Sequence, residues 1–326
     1  MTSTPTPARP RKEEGFETGL RLPAATLGAV AGPSEHAVDA RWLMAYAAAL
    51  GETDPRYFDT AAASGPAAHP LFSVCYEWPL AVALRDRAIG EAIAPFSVHA
   101  THDVVIHRPP RAGDRLTTSA RIVDIRPVKA GSLVVGRYDT IDAAGAPVTT
   151  THYGSIYRGV TCDPPADRSS VPPISRTAPA EPARNASGGV WGAISGPPIW
   201  QNRIEIGAQL AHVYTECARI WNPIHTDIAV ARAAGLPGLI LHGTATLALA
   251  VSRVVTRALD GDPSRVRGAS VRFTGMVPMP STLTVRGYDG DAGRTLFDAA
   301  DASGVTVLAD GVLCRRTDTT GRTDQR

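Results

Sequence analysis

The chain has 326 residues, of which 44% are hydrophobic and 20% charged, and its net charge is +2. That is length enough for two domains and an ordinary globular core. A balance so near neutral, with scattered basic residues, argues against a nucleic-acid or membrane-surface partner.

Cys75, Cys162, Cys217 and Cys314 lie far apart and form no CxxC pair, so neither a zinc ribbon nor a disulfide framework is expected. Reduced thiols point to a cytoplasmic protein. The first residues, MTSTPTPARPRKEEGFETG, hold no apolar stretch of the secretory kind, and no window reaches a membrane span's length of about 18 apolar residues.

Residues 1–24 read as a flexible tail. From 38 to 50 the apolar positions Trp42, Leu43, Tyr46, Ala49 and Leu50 recur at helical spacing and stop at Gly51. A turn with a short helix follows, then a helix over 72–90 in which Pro79 either sits in the early turns or breaks the run. The period then changes. SVHATHDVVIHR, RLTTSARIVDIR, SLVVGRYDTID and VTTTHYGSIYRG read as four strands separated by Pro and Gly turns. Residues 161–200, rich in Pro, Ser, Ala and Gly, read as a linker.

The pattern then repeats. A helix over 208–221 leads to an Asn-Pro-Ile-His turn at 222–225, a short helix, and a long apolar helix from Gly243 to Gly261. Four further strand-like runs follow: ASVRFTGMV, TLTVRGYDG, TLFDAADA and VTVLADGVLCR. Helices followed by antiparallel strands, twice over, give an α+β chain. A long helix wrapped by such a sheet is a hotdog, so the expected fold is a tandem double hotdog. Its expected divisions are a first half over 25–160, the linker, a second half over 201–316 and a tail over 317–326.

The chemistry concentrates at 214–243. His225 follows a proline that fixes the local backbone, which suits a base held in one place. Gly243 opens a helix whose first N–H groups lack internal partners and so suit a developing oxyanion. A base and an oxyanion site on one segment suit chemistry next to a thioester carbonyl.

These residues resemble the motif of the MaoC-like dehydratase and (R)-specific enoyl-CoA hydratase 2 family. Tyr214 matches its aromatic position and Ala218 its small one, Asn222, Pro223, Ile224 and His225 match its core, and Ala231 and the His242-Gly243 pair follow at the family's spacing. The Gly-Asp of the motif falls on Arg219-Ile220, so one acid/base member is missing from its usual place. The first half resembles a degenerate copy over 47–57, with Glu52 where the Asp would be and Tyr57 where the His would be. In such fusions the first half is expected to supply binding surface, its long helix removed or distorted to admit a bulky acyl group.

The resemblance implies a hydratase or dehydratase of 2-enoyl and 3-hydroxyacyl thioesters, in lipid or polyketide metabolism. His225 would be the base and Gly243 N–H the oxyanion donor, with Asn222 orienting the turn. Glu216, four residues before Ile220 on one helix face, and Asp227 are candidate replacements for the lost acid, although Asp227 also suits a helix N-cap. Tyr214, Arg219, Trp221, His242 and Thr244 are the expected substrate-binding neighbours. The resemblance implies no metal or other cofactor; coenzyme A or a carrier's phosphopantetheine belongs to the substrate, and a homodimer is possible. The alternatives are acyl-thioester binding, a one-base double-bond isomerase, or a non-catalytic subunit of a hydratase complex. Thioester hydrolysis ranks last, because GTATLALAV offers no carboxylate on the helix from 243.

Overall fold

The computed structural model describes residues 18–163, 194, 196–291 and 293–316. Most of the expected linker, residues 1–17 of the first expected tail and all of the expected tail over 317–326 lie outside the described residues. The first series of elements is β1 (Val30–Ala37), α1 (Ala40–Ala49), α2 (Ser73–Ala88), β2 (Ser97–Ile106), β3 (Arg115–Val128), β4 (Gly131–Asp142) and β5 (Pro147–Arg158). The second is β6 (Trp200–Ile206), α3 (Leu210–Ala218), the short α4 (Ile228–Ala233), α5 (Gly243–Ala258), β7 (Val266–Phe273), β8 (Ser281–Asp289), β9 (Arg294–Ala300) and β10 (Thr306–Arg315).

All the strands join one antiparallel sheet in the order β1-β3-β4-β5-β2-β7-β10-β9-β8-β6. That order reads the same from both ends once β2 is equated with β7, β5 with β10, and so on outward. The seam is the β2–β7 pair, where Asp103 faces Ser270 and Val104 faces Ala269. Gly268 is required there, since a Cβ would stand 2.6 Å from the Val104 carbonyl oxygen. The fold is the double hotdog of the α+β class.

Local sequence explains the helices. Asp39 caps α1 by accepting from the Trp42 N–H at 2.7 Å. α5 buries eleven side chains, most of them Ala, Val, Leu and Thr, and lies on β7 to β10. Each larger apolar side chain buried there stabilises by about 2 kcal/mol. α2 is the helix expected over 72–90, and of the two expectations for the first half's long helix, removed or distorted, it excludes removal. It is unbroken through Pro79, whose missing N–H costs one intrahelical bond, and it packs on β1 and β3.

β1 and β6 are additions to the expected strands. VAGPSEHA carries a Gly-Pro pair that hides any alternation, and WQNRIEI adjoins a stretch read as linker. Residues 18–24, read as part of the tail, are held against the first half. Thr18 and Leu22 donate backbone bonds to Gly159 and Thr161, because Leu22 is buried among first-half apolar residues.

Candidate active site

α3 ends at Arg219, which adopts φ 60° and ψ 37°. This left-handed conformation is easy for glycine and costs another residue about 1 kcal/mol. The Arg219 guanidinium lies 3.9 Å from the Trp42 ring centroid, a cation–π contact with the first half. The chain then turns inward, burying Ile220, and Pro223–His225 forms a single 3₁₀ turn.

That turn fixes His225. Its Nδ1 is 2.9 Å from the Ile240 carbonyl oxygen. A carbonyl only accepts, so Nδ1 carries the proton and Nε2 keeps its lone pair. Nε2 has no hydrogen-bond partner among the described residues, and His225 lines a large cavity. The His242 ring lies against it with centroids 3.8 Å apart, and His242 Nε2 is 3.1 Å from Thr215 Oγ1. Burial lowers the pKa of His225 to about 4. Burial, and then His225 itself, lower that of His242 further. Both rings are therefore neutral near pH 7.

Gly243 is the first residue of α5, and His242 gives it no side-chain cap. The opening N–H groups of the helix are thus left for something else. A Cβ on Gly243 would meet the Phe273 ring at 3.3 Å and His99 Nδ1 at 3.4 Å, so glycine keeps this approach open. His99 comes from β2 of the first half and stacks on Tyr153 with centroids 3.8 Å apart.

The cavity holds about 740 Å³ and has walls from both halves. Second-half residues on it include Ile220, Asn222, Ile224, His225, His242, Gly243 and Thr244. The first half contributes from α2, β2, β4 and β5, with Trp78, His99, Tyr138 and Tyr153 among the residues. The latter aromatic residues escape sequence reasoning; the only trace is the His-Ala-Thr-His run at 99–102.

Of the sequence candidates, His225, Gly243, Asn222, His242 and Thr244 meet at the cavity. Tyr214 lies behind it, fully buried, donating its hydroxyl to Thr244 Oγ1 at 3.1 Å. The others are not brought to His225. Glu216 is on the exposed face of α3, because the α3 positions that point inward are Ala211, Tyr214, Thr215 and Ala218. Asp227 is exposed and caps α4, accepting from Ala229 N at 2.8 Å and Val230 N at 3.3 Å. Arg219 is held out over Trp42, and Trp221 is 61% exposed outside the cavity wall. No carboxylate replaces the missing motif acid near His225 among the described residues. The carboxylates on the wall are Asp86 and Glu91, both exposed on the first half.

The matching place in the first half is closed. Around His69 and Pro70 there is about 10 Å³ of space, room for roughly one water. Tyr57 stacks on His69, Pro70 has no N–H to offer, and the Glu52 carboxyl lies 3.9 Å from His69 Nε2. Asp54 caps the Pro55–Tyr57 turn. Neither acid reaches the cavity.

Two hotdogs thus share one open cavity. Residues 193–300 match the MaoC like domain, and residues 25–151 match the FAS1-like dehydratase domain region. The chain is a double hotdog whose first half matches the FAS1-like dehydratase region and whose second half matches the MaoC like domain. A stretch of 88 residues is 39% identical to enoyl-CoA hydratase ChsH3 of Mycobacterium tuberculosis, covering 27% of this chain and 30% of that protein. The matched segments make up 3% to 31% of the length of the curated relatives. Among solved structures, a MaoC-like dehydratase from Phytophthora capsici superposes with a TM-score of 0.73 at 22% identity, over 89% of this chain and 97% of the other. A Mycobacterium tuberculosis protein described as a double hotdog gives 0.53 at 18% identity, over 89% and 96%. At these identities the structural likeness is one of fold.

Proposed function

We propose that the chain is a hydro-lyase that adds water to 2-enoyl thioesters, or removes it from 3-hydroxyacyl thioesters, with His225 as its single base. The observation that carries this reading is that His225 Nε2 and the open end of α5 at Gly243 share one cavity. The MaoC like domain match and the hydratase relatives support the reaction class.

In the hydration direction His225 Nε2 takes a proton from water as the water oxygen bonds to C3 of the enoyl group. The C2–C3 π pair moves toward C1, and the carbonyl π pair collects on the thioester oxygen. The N–H groups at Gly243 and Thr244 hold that oxyanion. The protonated His225 then returns its proton to C2 and the carbonyl re-forms. One base on one face gives syn addition, and dehydration is the reverse. No second carboxylate is needed, which fits Ile220 at the motif position. Coenzyme A or a carrier's pantetheine arm leaves through the mouth, and no metal or redox group takes part.

In this reading the half over 25–160 supplies acyl-binding surface and the half over 201–316 the chemistry. Cytoplasmic placement accompanies it, supported by four free cysteines. None of the described helices is long and apolar enough to cross a membrane.

One observation favours a second reading. Ile220, Ile224 and Ile240 make the wall around His225 largely apolar, which also suits a one-base double-bond isomerase or an acyl-thioester binder. Turnover of 2-enoyl-CoAs in D₂O separates these roles. A hydratase gives the 3-hydroxyacyl product with deuterium at C2, abolished by His225→Ala. An isomerase gives the 3-enoyl product without added water, and a binding protein gives neither.

A further inference from the structure

The first half's part of the cavity is formed between α2 and the inner face of β4 and β5. Much of its wall is aliphatic, with Ala81, Leu84, Ile89, Ile122 and Val134. Arg85, Asp86, Glu91, Ser97 and Ser155 also lie on it, and among its polar members are two phenols. Tyr138 and Tyr153 stand with ring centroids 6.5 Å apart at 71°, and neither hydroxyl has a hydrogen-bond partner among the described residues. The third phenol on this wall, Tyr157, has Ser97 as its partner.

Their placement is built. Gly136 lies two residues before Tyr138 on the same strand face, and a Cβ there would meet the Tyr138 ring and hydroxyl at 3.2 Å. Tyr138 therefore lies across its own strand. Tyr153 is locked by His99, and His99 borders Gly243. The pair thus stands two ring contacts beyond the oxyanion site, where the far part of an acyl group would run. Burial pushes both phenols up from their ordinary range, so they keep their protons and act as donors at neutral pH.

An alkyl chain entering this space would strip water from two donors and return nothing, which is unfavourable for each. An oxygen on the acyl group would satisfy them. A few convergent polar groups in an otherwise apolar pocket set orientation and choice of ligand. We propose that Tyr138 and Tyr153 form a distal subsite that hydrogen-bonds a carbonyl or hydroxyl oxygen carried by the acyl group beyond its double bond. The substrate class is then an oxygenated acyl thioester rather than a plain fatty one. This inference rests on the acyl-thioester reading of the site.

The test uses the full chain and matched pairs of medium-chain acyl-CoAs, with and without a keto oxygen near the far end. Saturated members are bound by calorimetry and 2-enoyl members are turned over. The keto member is expected to bind about tenfold more tightly, a preference that Tyr138→Phe and Tyr153→Phe each reduce by severalfold while alkyl binding holds or improves. Equal binding of the two members, or a preference that survives both substitutions, overturns the subsite. A keto preference in binding with no turnover of any enoyl member upholds the subsite and sinks the hydratase reading alone. Turnover without oxygen preference does the reverse.

Discussion

The hydroxyl of Tyr46, from α1, stands 3.4 Å from that of Tyr214, from α3. The two residues hold equivalent positions in the two halves, each beside its own half's histidine, His69 or His242. Tyr214 passes its hydrogen to Thr244 Oγ1, on the cavity wall, and Tyr46 has a single hydrogen to share between the Leu71 carbonyl oxygen at 3.3 Å and the Tyr214 oxygen. The pair thus brings the halves together at their centre, behind the cavity.

Removing one hydroxyl takes a hydrogen-bond partner from its neighbour at a fully buried site. Tyr46→Phe and Tyr214→Phe are each expected to cost about 1–2 kcal/mol in urea unfolding. The double variant should cost less than the sum by about 0.5–1 kcal/mol, the signature of direct coupling. Additive losses would show that the hydroxyls do not interact.

With His225 as the proposed base, its titration would set the acid limit of activity. Its pKa of about 4 lies below the ordinary 6.5, through burial, so kcat/KM should be level near neutrality and fall only toward pH 4. His225→Ala should reduce turnover by roughly a hundredfold or more with the fold retained. Stability follows the same groups, since burial also holds His102 near 4 and His69 near 3. Between pH 6.5 and 4 the unfolded chain takes up protons that the folded chain refuses. Stability is therefore complete above 6.5, declines as pH falls, and levels off below 4 for His225 and His102 and below 3 for His69, each lowering it by up to about 3–5 kcal/mol. A melting temperature unchanged from pH 7 to 4.5 would contradict this.

Glu77 acts in the opposite direction. It is buried in α2, accepts from Thr151 Oγ1 at 2.6 Å, and burial raises it from 4.5 to about 7. Between those values the folded chain keeps the proton and the unfolded chain loses it. Its contribution is complete below 4.5 and lost as pH rises to 7. Glu77→Gln keeps the accepting oxygen and removes the charge, so it should raise the melting temperature near pH 8 and leave it unchanged near pH 4. Destabilisation at both values would mean that the carboxylate is needed.

Ile220→Asp restores the family's acid. A carboxylate at this buried position should cost about 3 kcal/mol of stability. Once ionised in the cavity beside His225 it raises the imidazole's pKa, moving the acid limb of kcat/KM to higher pH. An unmoved acid limb would show that the new side chain does not reach the histidine.

Much of this was legible in the sequence because the signals were local. The recurrence of helix, short helix, long helix and four strands announced the double hotdog, and the resemblance of Asn222–His225 and His242-Gly243 to a family motif picked out residues that meet at the cavity. What was not legible depended on long-range packing. Glu216 shares a helix face with Ile220 in the linear sequence, yet α3 ends at Arg219 and the chain turns inward while Glu216 stays outside. The persistence of α2 was obscured by Pro79, whose lost bond is offset by packing on β1 and β3. The Tyr138 and Tyr153 wall has no motif at all, because it arises where two strands bring distant residues to one face.

The plugged space beside His69 also fixes how the protein counts its ligand. A symmetric pair of hotdogs would offer two equivalent chambers and the chance of communication between them. Here one chamber is filled by Tyr57 and its neighbours, so titration with an acyl thioester should saturate at one molecule per chain, with a hyperbolic curve and no cooperativity.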